Sequence, residues 1–373
     1  MIKPILAVLL SLVLLSGCTA KDTRKVIEFS TWGSASELAV IKRVIKDYET
    51  ANCDVRIKLQ HIPQNYFKKL HLLLASATEP DVMLVNNQNI VAYGEYFLTL
   101  DKGKFEGEYY PNAIKALSLT NELKAAPRDV STLVVYYNKS LLKDLKIPLL
   151  DYKWSFDDFM KISEQLKKNG VFSLPLENDL FYLYPFILSF GEDAEGITAQ
   201  NLSSYKSVKF FNDLIKKYHY APFDYQIGTA TPAEFFLSEK SAFFLSGRWM
   251  TPKIREVANF DWDVVNFPMA KMGSIVPCDA TGWAISKRSD VKKEAIAFVE
   301  YLTSDDVLRQ MSESGLIVPA RVSSSWSKEF LTTPPNNMRL FLDLAKNSKT
   351  IVYPKDYNRM RDEINTNLKA INR

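Results

Sequence analysis

VIEFSTWGSASELAVIKRVIKDYETANCDVRIKLQHIPQNYFKKLHLLLASATEPDVMLVNN, residues 26–87, decides the fold, because it predicts a strand, a helix and a strand, followed by another helix and strand. Val26–Trp32 is a short apolar and aromatic run that is typical of a strand. Gly33-Ser34-Ala35-Ser36 then offers a turn and an N-cap serine. Apolar residues recur at helical spacing over Glu37–Thr50, so a helix follows the first strand.

The second part of this stretch predicts the same alternation. Val55–Gln60 alternates apolar with polar residues, as a strand does, and Tyr66–Ala77 carries apolar residues at helical spacing. Val82–Val85 is a continuous apolar run, which is typical of a buried parallel strand. Ligands of such sheets bind at the carboxyl ends of the strands, so the loops Trp32–Ser36 and Asn86–Gln88 are the first candidates for a site.

The amino terminus predicts export and a lipid anchor. The apolar run 5–15 has the length of a signal-peptide core and follows the positive Lys3. Leu15-Ser16-Gly17-Cys18 resembles a bacterial lipoprotein cleavage box, so we predict a signal peptide at 1–17, lipidation of Cys18 and a tether at 18–25. The alternative is an ordinary signal peptide with an incidental cysteine.

Composition excludes several classes of protein. Hydrophobic residues make up 47% of the chain and charged residues 24%, as in a globular protein. The net charge of +4 is mild and no block of like charges occurs, so we expect no nucleic-acid partner. With Cys18 lipidated, only Cys53 and Cys278 remain, which is too few for a disulfide scaffold.

Beyond the first unit, two strands are predicted at Leu123–Pro127 and Thr132–Tyr137, around a loop at Arg128-Asp129-Val130. A further strand is predicted at Val171–Leu176. The aromatic run Phe181–Phe190 ends at a glycine.

Short motifs along the whole mature chain resemble one family, the extracellular solute-binding proteins (family 1) of sugar ABC transporters, of the maltose-binding-like type. Each motif alone is weak, and their order and spacing carry the resemblance. They are EPDVMLV at 79–85, VVYYNK at 134–139, WSFDDF at 154–159, SAFFLSGRW at 241–249, PCDATGWAIS at 277–286 and GLIVPAR at 315–321.

The resemblance implies an α/β, two-lobe periplasmic-binding-protein fold of type II, with a hinge made of several crossovers. The chain is expected to cross near 131–138, 277–283 and 316–321. The expected N-terminal lobe is 24–136 plus 277–318, and the expected C-terminal lobe is 137–276 plus 319–373.

The implied function is capture of a sugar, an oligo- or monosaccharide, between two closing lobes and its delivery to the permease of an ABC importer. The protein is then a monomer and not an enzyme, and it needs neither a metal nor another cofactor. Its expected location is the bacterial cell envelope, lipid-anchored in the periplasm or on the outer face of the cell membrane.

Sugars present apolar C–H faces, which aromatic rings cover, and hydroxyl edges, which polar side chains bind. The family implies ligand contacts for Trp249, Phe181, Tyr182 and Tyr357; each ring could instead pack inside a lobe. Two further rings at strand and crossover positions are Trp32 and Trp283, and the alternative for Trp283 is packing at the hinge. The polar candidates are Ser34, Glu37, Asn86, Asn87, Asp129, Arg248, Asp279 and Arg321.

Some of these polar residues have equally simple structural interpretations. Asn86 and Asn87 end the third strand, where asparagine is also a good turn residue. Asp279 could accept hydrogen bonds from hydroxyls or form a salt bridge with Arg321. The return crossover has Ala280-Thr281 where the family commonly has two glycines, so a glycerol phosphate stays open as a ligand.

Two other functions remain open on the same scaffold. Cys278 could be the nucleophile of a thiaminase-like enzyme, although a small packed thiol at the hinge explains it more simply. A metal- or polyamine-binding protein is the other alternative. The histidines His61, His71 and His219 do not occur at a metal-ligand spacing.

Overall fold

The computed structural model describes residues 23–372, apart from 314, 316 and 329. The predicted signal peptide, the lipidation site at Cys18 and most of the tether lie outside the described residues. Within the described ranges, no helix combines the length and the apolar character that a bilayer crossing requires.

The unit predicted from residues 26–87 is confirmed in its order and type. It consists of β1 (Lys25–Thr31), α1 (Ala35–Ala51), β2 (Val55–His61), α2 (Tyr66–Ala75) and β3 (Val82–Asn86). Both β2 and β3 pair with β1 in parallel. Helix α1 begins at the expected serine, whose hydroxyl accepts a hydrogen bond from the backbone in the first turn.

The remaining helices and strands follow in chain order: α3 (Asn87–Tyr93), α4 (Pro111–Ala116), β4 (Ser118–Leu119), β5 (Glu122–Leu123), β6 (Ala126–Ser131), β7 (Leu133–Asn138), α5 (Lys139–Asp144), α6 (Phe156–Lys168), α7 (Leu180–Phe190), α8 (Lys206–Lys216), α9 (Asp224–Ile227), α10 (Pro232–Leu237), β8 (Phe243–Gly247), α11 (Thr251–Val257), β9 (Trp262–Val265), β10 (Pro277–Ile285), α12 (Lys292–Leu302), α13 (Asp305–Ser312), β11 (Val318–Pro319), α14 (Val322–Ser325), α15 (Arg339–Asn347), β12 (Lys349–Thr350) and α16 (Tyr357–Asn372). Single 3-10 turns lie at Gly94–Tyr96, Lys102–Lys104, Leu202–Ser204 and Arg248–Met250.

The larger sheet has the strand order β11-β6-β10-β3-β1-β2, and β12 pairs with β10. Strand β10 runs antiparallel between β3 and β6, so a segment from late in the chain is built into the middle of the first sheet. Its core is aromatic: the Phe29 ring meets Trp283 and Phe298 edge-on, at 5.1 and 5.3 Å between centroids. We call the part of the molecule built on this sheet the large-sheet lobe.

A second, smaller sheet has the order β8-β7-β9, with all pairs antiparallel. Beside it, rings from separate elements pack together: Phe186 of α7 lies 4.8 Å from Phe267 and 5.4 Å from Phe211. Phe156 of α6 contacts the same cluster. We call the part built on this sheet, with α6–α8 and α16, the small-sheet lobe.

The chain passes from the large sheet to the small one at Thr132, between β6 and β7. Arg128-Asp129-Val130 is therefore not the loop that the sequence predicted, because Asp129 and Val130 pair with β10 and β11 inside β6, and Arg128 lies at a bulge in the pairing with β10. The predicted strand Val171–Leu176 is also wrong: Phe172 forms only an isolated bridge to Ser241. The exact lobe boundaries stay predictions.

Candidate ligand-binding site

A cavity of about 1020 Å³ separates loops of the large-sheet lobe from the first turns of α16. The large-sheet side follows β1, β2 and β3, so it occupies the carboxyl ends of parallel strands, as expected. The lining side chains are mostly aromatic, amide or charged. They are Trp32, Pro63, Asn65, Tyr66, Phe67, Lys68, His71, Leu72, Gln88, Asn89, Ala92 and Tyr93 on one side, and Lys355, Asp356, Asn358, Arg359, Arg361 and Asp362 on the other.

Trp32 lies at this cavity and is held by other rings. Its centroid is 5.0 Å from that of Tyr66 and 4.8 Å from that of Phe67. The Tyr66 hydroxyl is buried and lies 2.9 Å from Oγ of Ser30 on β1, which ties this aromatic group to the sheet. Trp32 itself is only half-buried, so part of its ring remains available for contact.

The opposite wall contains an ion pair that the sequence analysis missed. Arg361 of α16 donates to both carboxylate oxygens of Asp179, at 2.6 and 3.2 Å, and Asn365 donates to the same group at 2.9 Å. Asp179 is also the N-cap of α7, because its carboxylate accepts from the backbone of Phe181. An aspartate directly before an aromatic helix was the available signal for this residue.

Trp249 and Phe181 form an aromatic pair on the small-sheet lobe, 6.4 Å between centroids. Both rings are half-buried. Next to Phe181, burial and the Glu177 carboxylate raise the pKa of the Tyr182 phenol. Burial, followed by the charge of Asp179, raises the pKa of Glu177 to about 7. The predicted rings of this lobe thus lie together, while their contact with a ligand stays a prediction.

Glu37 and Asp129 are joined by a buried arginine that the sequence analysis did not nominate. Arg128 pairs with Glu37 and donates to Asp129 at 2.9 Å. Thr281 of β10 donates to the same Asp129 oxygen at 2.6 Å. Burial raises the pKa of Asp129, while the Arg128 guanidinium opposes that shift. The hydrogen-bonding capacity of these carboxylates is therefore largely used within the protein.

Three polar candidates sit at helix starts. Ser34 caps α1 and accepts from the backbone of Glu37 at 3.3 Å. Asn86 caps α3 in a reciprocal arrangement with Asn89. Asn87 donates to the backbone carbonyl of Cys278 at 3.4 Å. Strand β3 therefore ends at the N-cap of α3, so Asn86 has the structural role of a turn and cap residue that was the alternative to ligand binding.

Asp279 and Tyr357 lie close to each other at the crossover. Burial, followed by the charge of Asp129, raises the pKa of Asp279 to about 7. Burial, followed by the smaller effects of the Asp179 and Asp279 charges, raises the pKa of the Tyr357 phenol, while the Arg361 guanidinium opposes that shift. The Tyr357 ring packs at 4.2 Å from that of Tyr353, which precedes α16 and which the sequence analysis did not nominate. The salt bridge with Arg321, which was one of the two alternatives for Asp279, does not form in the described part of the chain, where Arg321 pairs with Glu108 and Asp305.

Two predicted ligand contacts need correction. Trp283 is fully buried in the core of the large-sheet lobe, so it packs and does not line the cavity. Arg248 is also buried: it donates to the carbonyl of Gly315 at 2.8 Å and lies 4.4 Å from the Phe330 ring. Arg321 is partly exposed and pairs with Glu108, so its contact with a ligand stays a prediction.

The thiol of Cys278 is fully buried, and burial raises its pKa to about 12. A nucleophilic cysteine needs the opposite shift, so this environment disfavours the enzyme alternative. No group of three or more His, Cys, Asp or Glu side chains suited to a metal ion occurs in the described part of the chain.

The family of bacterial extracellular solute-binding proteins matches residues 43–338. The chain belongs to this family. It is therefore a solute-binding component of transport and not an enzyme, and the resemblance seen in the sequence motifs is confirmed.

Relatives and solved structures agree with this assignment. The maltodextrin-binding protein MdxE of Bacillus subtilis is 24% identical over 82% of this chain and 75% of its own. The multiple sugar-binding protein of Streptococcus mutans is 23% identical over 79% of this chain and 76% of its own. The ABC substrate-binding protein Lmo0181 of Listeria monocytogenes, solved with cycloalternan, superposes with a TM-score of 0.82 at 18% identity, covering 93% of each chain. This superposition confirms the predicted α/β periplasmic-binding-protein fold.

Proposed function

We propose that this protein captures a sugar between its lobes and delivers it to the permease of an ABC importer. The observation that carries the proposal is the composition of the cavity walls. One wall presents the Trp32 ring together with amide side chains, and the other presents the charged first turns of α16. Rings cover the apolar faces of a sugar, while amides, carboxylates and guanidinium groups bind its hydroxyls.

The relatives support a sugar over other solutes. The two curated relatives are named for maltodextrin and for multiple sugars. Among the solved neighbours, the GacH receptor of Streptomyces glaucescens was solved with acarbose, at a TM-score of 0.81. UgpB of Mycobacterium tuberculosis, solved with glycerophosphocholine, superposes with a TM-score of 0.77, so the fold alone does not determine the ligand. The aromatic wall favours the sugar.

The cavity size favours an oligosaccharide over a monosaccharide. Pockets for drug-sized ligands span roughly 300–1,000 Å³. The cavity of about 1020 Å³ lies at the upper end of that range, which suits a ligand of several rings.

Calorimetric titration of the full chain with maltodextrins of increasing length tests the proposal. We expect Trp32→Ala to weaken binding by roughly tenfold to a hundredfold, because it removes a stacking ring. The matched control is Trp326→Ala, since Trp326 is 47% exposed and lies outside the cavity lining. Failure of maltodextrins and other neutral oligosaccharides to bind would remove the sugar from the proposal.

Attachment to the membrane through Cys18 belongs to the same proposal, because a capture protein must stay near its permease. The supporting observation is the sequence Leu15-Ser16-Gly17-Cys18 behind an apolar run. In a bacterial host, Cys18→Ser should move the protein from the membrane fraction to the soluble fraction. Cys53→Ser is the matched control, and a wild-type protein found only in the soluble fraction contradicts the anchor.

A further inference from the structure

The most exposed large hydrophobic side chain in the described part of the chain is that of Tyr225, at 74%. Its ring is stacked on the ring of Phe223, with 5.4 Å between the centroids and 17° between the planes. Phe223 covers one face of Tyr225, so the other face is open to water. We call these two rings the Tyr225 platform. A flat aromatic face that the protein leaves uncovered suits the apolar face of another molecule.

The turn that carries the two rings is held by its own hydrogen bonds. Helix α9 begins directly after Phe223, and Oε1 of Gln226 accepts from the backbone N–H of Phe223 at 2.9 Å. Gly228 ends the helix with a φ of 63°, a conformation that glycine adopts without strain. Rings that are fixed in this way lose little conformational freedom when a ligand binds, which favours affinity.

Polar groups that suit the hydroxyls of a sugar border the platform. Asp224 lies between the two rings in sequence, and its exposed carboxylate accepts from Nδ2 of Asn178 at 3.2 and 3.4 Å. A carboxylate has about four lone-pair sites, so capacity remains for a hydroxyl. The exposed ring of His219 lies 6.1 Å from that of Phe223. An aromatic face beside a carboxylate can bind both the C–H face and the hydroxyl edge of one sugar ring.

The platform is connected to the wall of the ligand cavity by a short series of contacts. Asn178, which binds Asp224, is followed in the chain by Asp179. Asp179 in turn accepts from Arg361, which lines the cavity. Asp179 also caps α7 through the backbone of Phe181, one of the predicted ligand rings. The platform therefore lies beyond this wall, outside the residues that line the cavity.

The platform is too small for a protein partner. Apart from Tyr225, the exposed residues of this turn are polar or glycine: Asp224, Gln226, Gly228 and Thr229. A stable protein–protein interface covers about 800 Å² on each partner, and its centre is apolar. One stacked pair of rings in a polar surface instead matches the size of a single sugar ring.

We propose that the Tyr225 platform is an outer subsite, on which a sugar ring that extends out of the cavity is stacked. The captured solute is then an oligosaccharide longer than the cavity encloses, and not a monosaccharide or disaccharide. This inference rests on the proposed function, because the cavity must hold the rest of the sugar chain.

Calorimetric titration of the full chain with maltose, maltotriose, maltopentaose and maltoheptaose tests the inference. The affinity of the wild type should rise with chain length, because only the longer chains reach the platform. Tyr225→Ala should lower the affinity for maltoheptaose by roughly two- to tenfold, as the loss of one ring contact does, and leave the affinity for maltose unchanged. Tyr225→Phe, which keeps the ring, should retain the dependence on length.

Tyr152→Ala is the matched control, because Tyr152 is 68% exposed and lies elsewhere on the small-sheet lobe. Tyr152 precedes α6, and only the other end of that 13-residue helix, about 20 Å away, approaches the platform. There Lys167 donates to the carbonyl of Tyr218 at 2.9 Å. Tyr152→Ala should bind every sugar chain as the wild type does. If maltodextrins do not bind, the β-1,4 series from cellobiose to cellohexaose replaces them.

The outcomes separate this inference from the proposed function. Affinity that does not depend on chain length, or an equal loss for the shortest and the longest chain in Tyr225→Ala, overturns the outer subsite and leaves the sugar proposal intact. An equal loss in Tyr152→Ala overturns it as well. A second sugar molecule per protein, lost in Tyr225→Ala, makes the platform a separate site and overturns the extension. Absence of binding by both series overturns the outer subsite together with the sugar.

Discussion

The position of the Trp249 ring depends on the absence of a side chain at Gly247. A Cβ atom added there would lie 1.9 Å from the Trp249 ring, far inside van der Waals contact. The glycine ends β8 and the tryptophan is the second residue of the following turn, so the ring folds back over the strand that precedes it. This local geometry places Trp249 next to Phe181.

We expect Gly247→Ala to displace the Trp249 ring and to lower the free energy of unfolding by about 1–3 kcal/mol, as overpacking does. Urea denaturation followed by tryptophan emission measures both effects. Gly103→Ala is the matched control, because its Cβ would meet only the end of the Asp101 side chain, at 3.3 Å. Unchanged emission and unchanged stability in Gly247→Ala would contradict this account of the ring.

At the scale of residues, the position of a single side chain could be predicted from the sequence better than the side chains with which it interacts. Trp32 was predicted at the end of β1, and it lies at the cavity because strand ends are visible in the sequence. Arg128 was not nominated, since its partners Glu37 and Asp129 come together only when α1 and β6 pack. Trp283 was predicted at a crossover, but the direction of a ring depends on a register that no local pattern reveals.

At the scale of elements, Arg128 connects the start of α1 to the end of β6. Its guanidinium spans Glu37 in the first turn of the helix and Asp129 in its own strand. Because this group is buried, removal of the arginine leaves two carboxylates without a counter-ion in a dry environment.

We expect Arg128→Met to lower the free energy of unfolding by about 3–5 kcal/mol, which is the cost of breaking a buried ion pair by removing one partner. Arg43→Met on the exposed face of α1 is the matched control. Its pair with Glu313 is half-exposed on both sides, so the loss should be at most about 1 kcal/mol. Urea denaturation measures both losses. Equal losses in the two variants would show that the buried ion pair stabilises the fold no more than the exposed pair does.

Elements were predictable where local patterns and packing agree. The strands and helices of residues 26–87 have clear periodicities, α1 has a serine N-cap, and the three strands pair in the large sheet. The run Val171–Leu176 has strand composition but only one bridge, to Ser241, so composition alone was misleading there. Strand β6 continues through Arg128 and Asp129, because neighbours from β10 and the ion pairs compensate for their burial.

At the scale of the whole molecule, one connection between the two sheets is very short. Strand β6 ends at Ser131 and β7 begins at Leu133, so one residue links the sheets at this point. The cavity walls come from both lobes. A ligand that contacts both walls therefore favours a closed arrangement over an open one.

Ligand binding should make the molecule more compact. With a saturating oligosaccharide that binds, small-angle X-ray scattering should show a smaller radius of gyration than for the protein alone. Trp32→Ala at the same ligand concentration should remain closer to the unliganded value, because fewer molecules are occupied. A radius that does not change on saturation would contradict closure.

Two buried carboxyl groups, those of Glu177 and Asp279, should make the unliganded protein more stable as the pH falls from 7.5 to 5.5. Burial raises the pKa of both Glu177 and Asp279 to about 7, from ordinary values of 4.5 and 3.8. When the pKa of an acid is raised by folding, the folded state holds its proton up to a higher pH than the unfolded state does. The stability due to these protons is therefore fully present below the unfolded pKa values and is lost as the pH rises through 7.

We expect the free energy of unfolding to rise by roughly 2–4 kcal/mol from pH 7.5 to 5.5, given about 1.4 kcal/mol for each unit of pKa difference. The double variant Glu177→Gln with Asp279→Asn should lose most of this rise, because neither amide titrates. Asp158→Asn is the control: hydrogen bonds from Ser155 lower the pKa of Asp158, so its contribution is lost only below that range. Urea denaturation at several pH values measures all three proteins, and a wild type that loses stability towards pH 5.5 would contradict the raised pKa values.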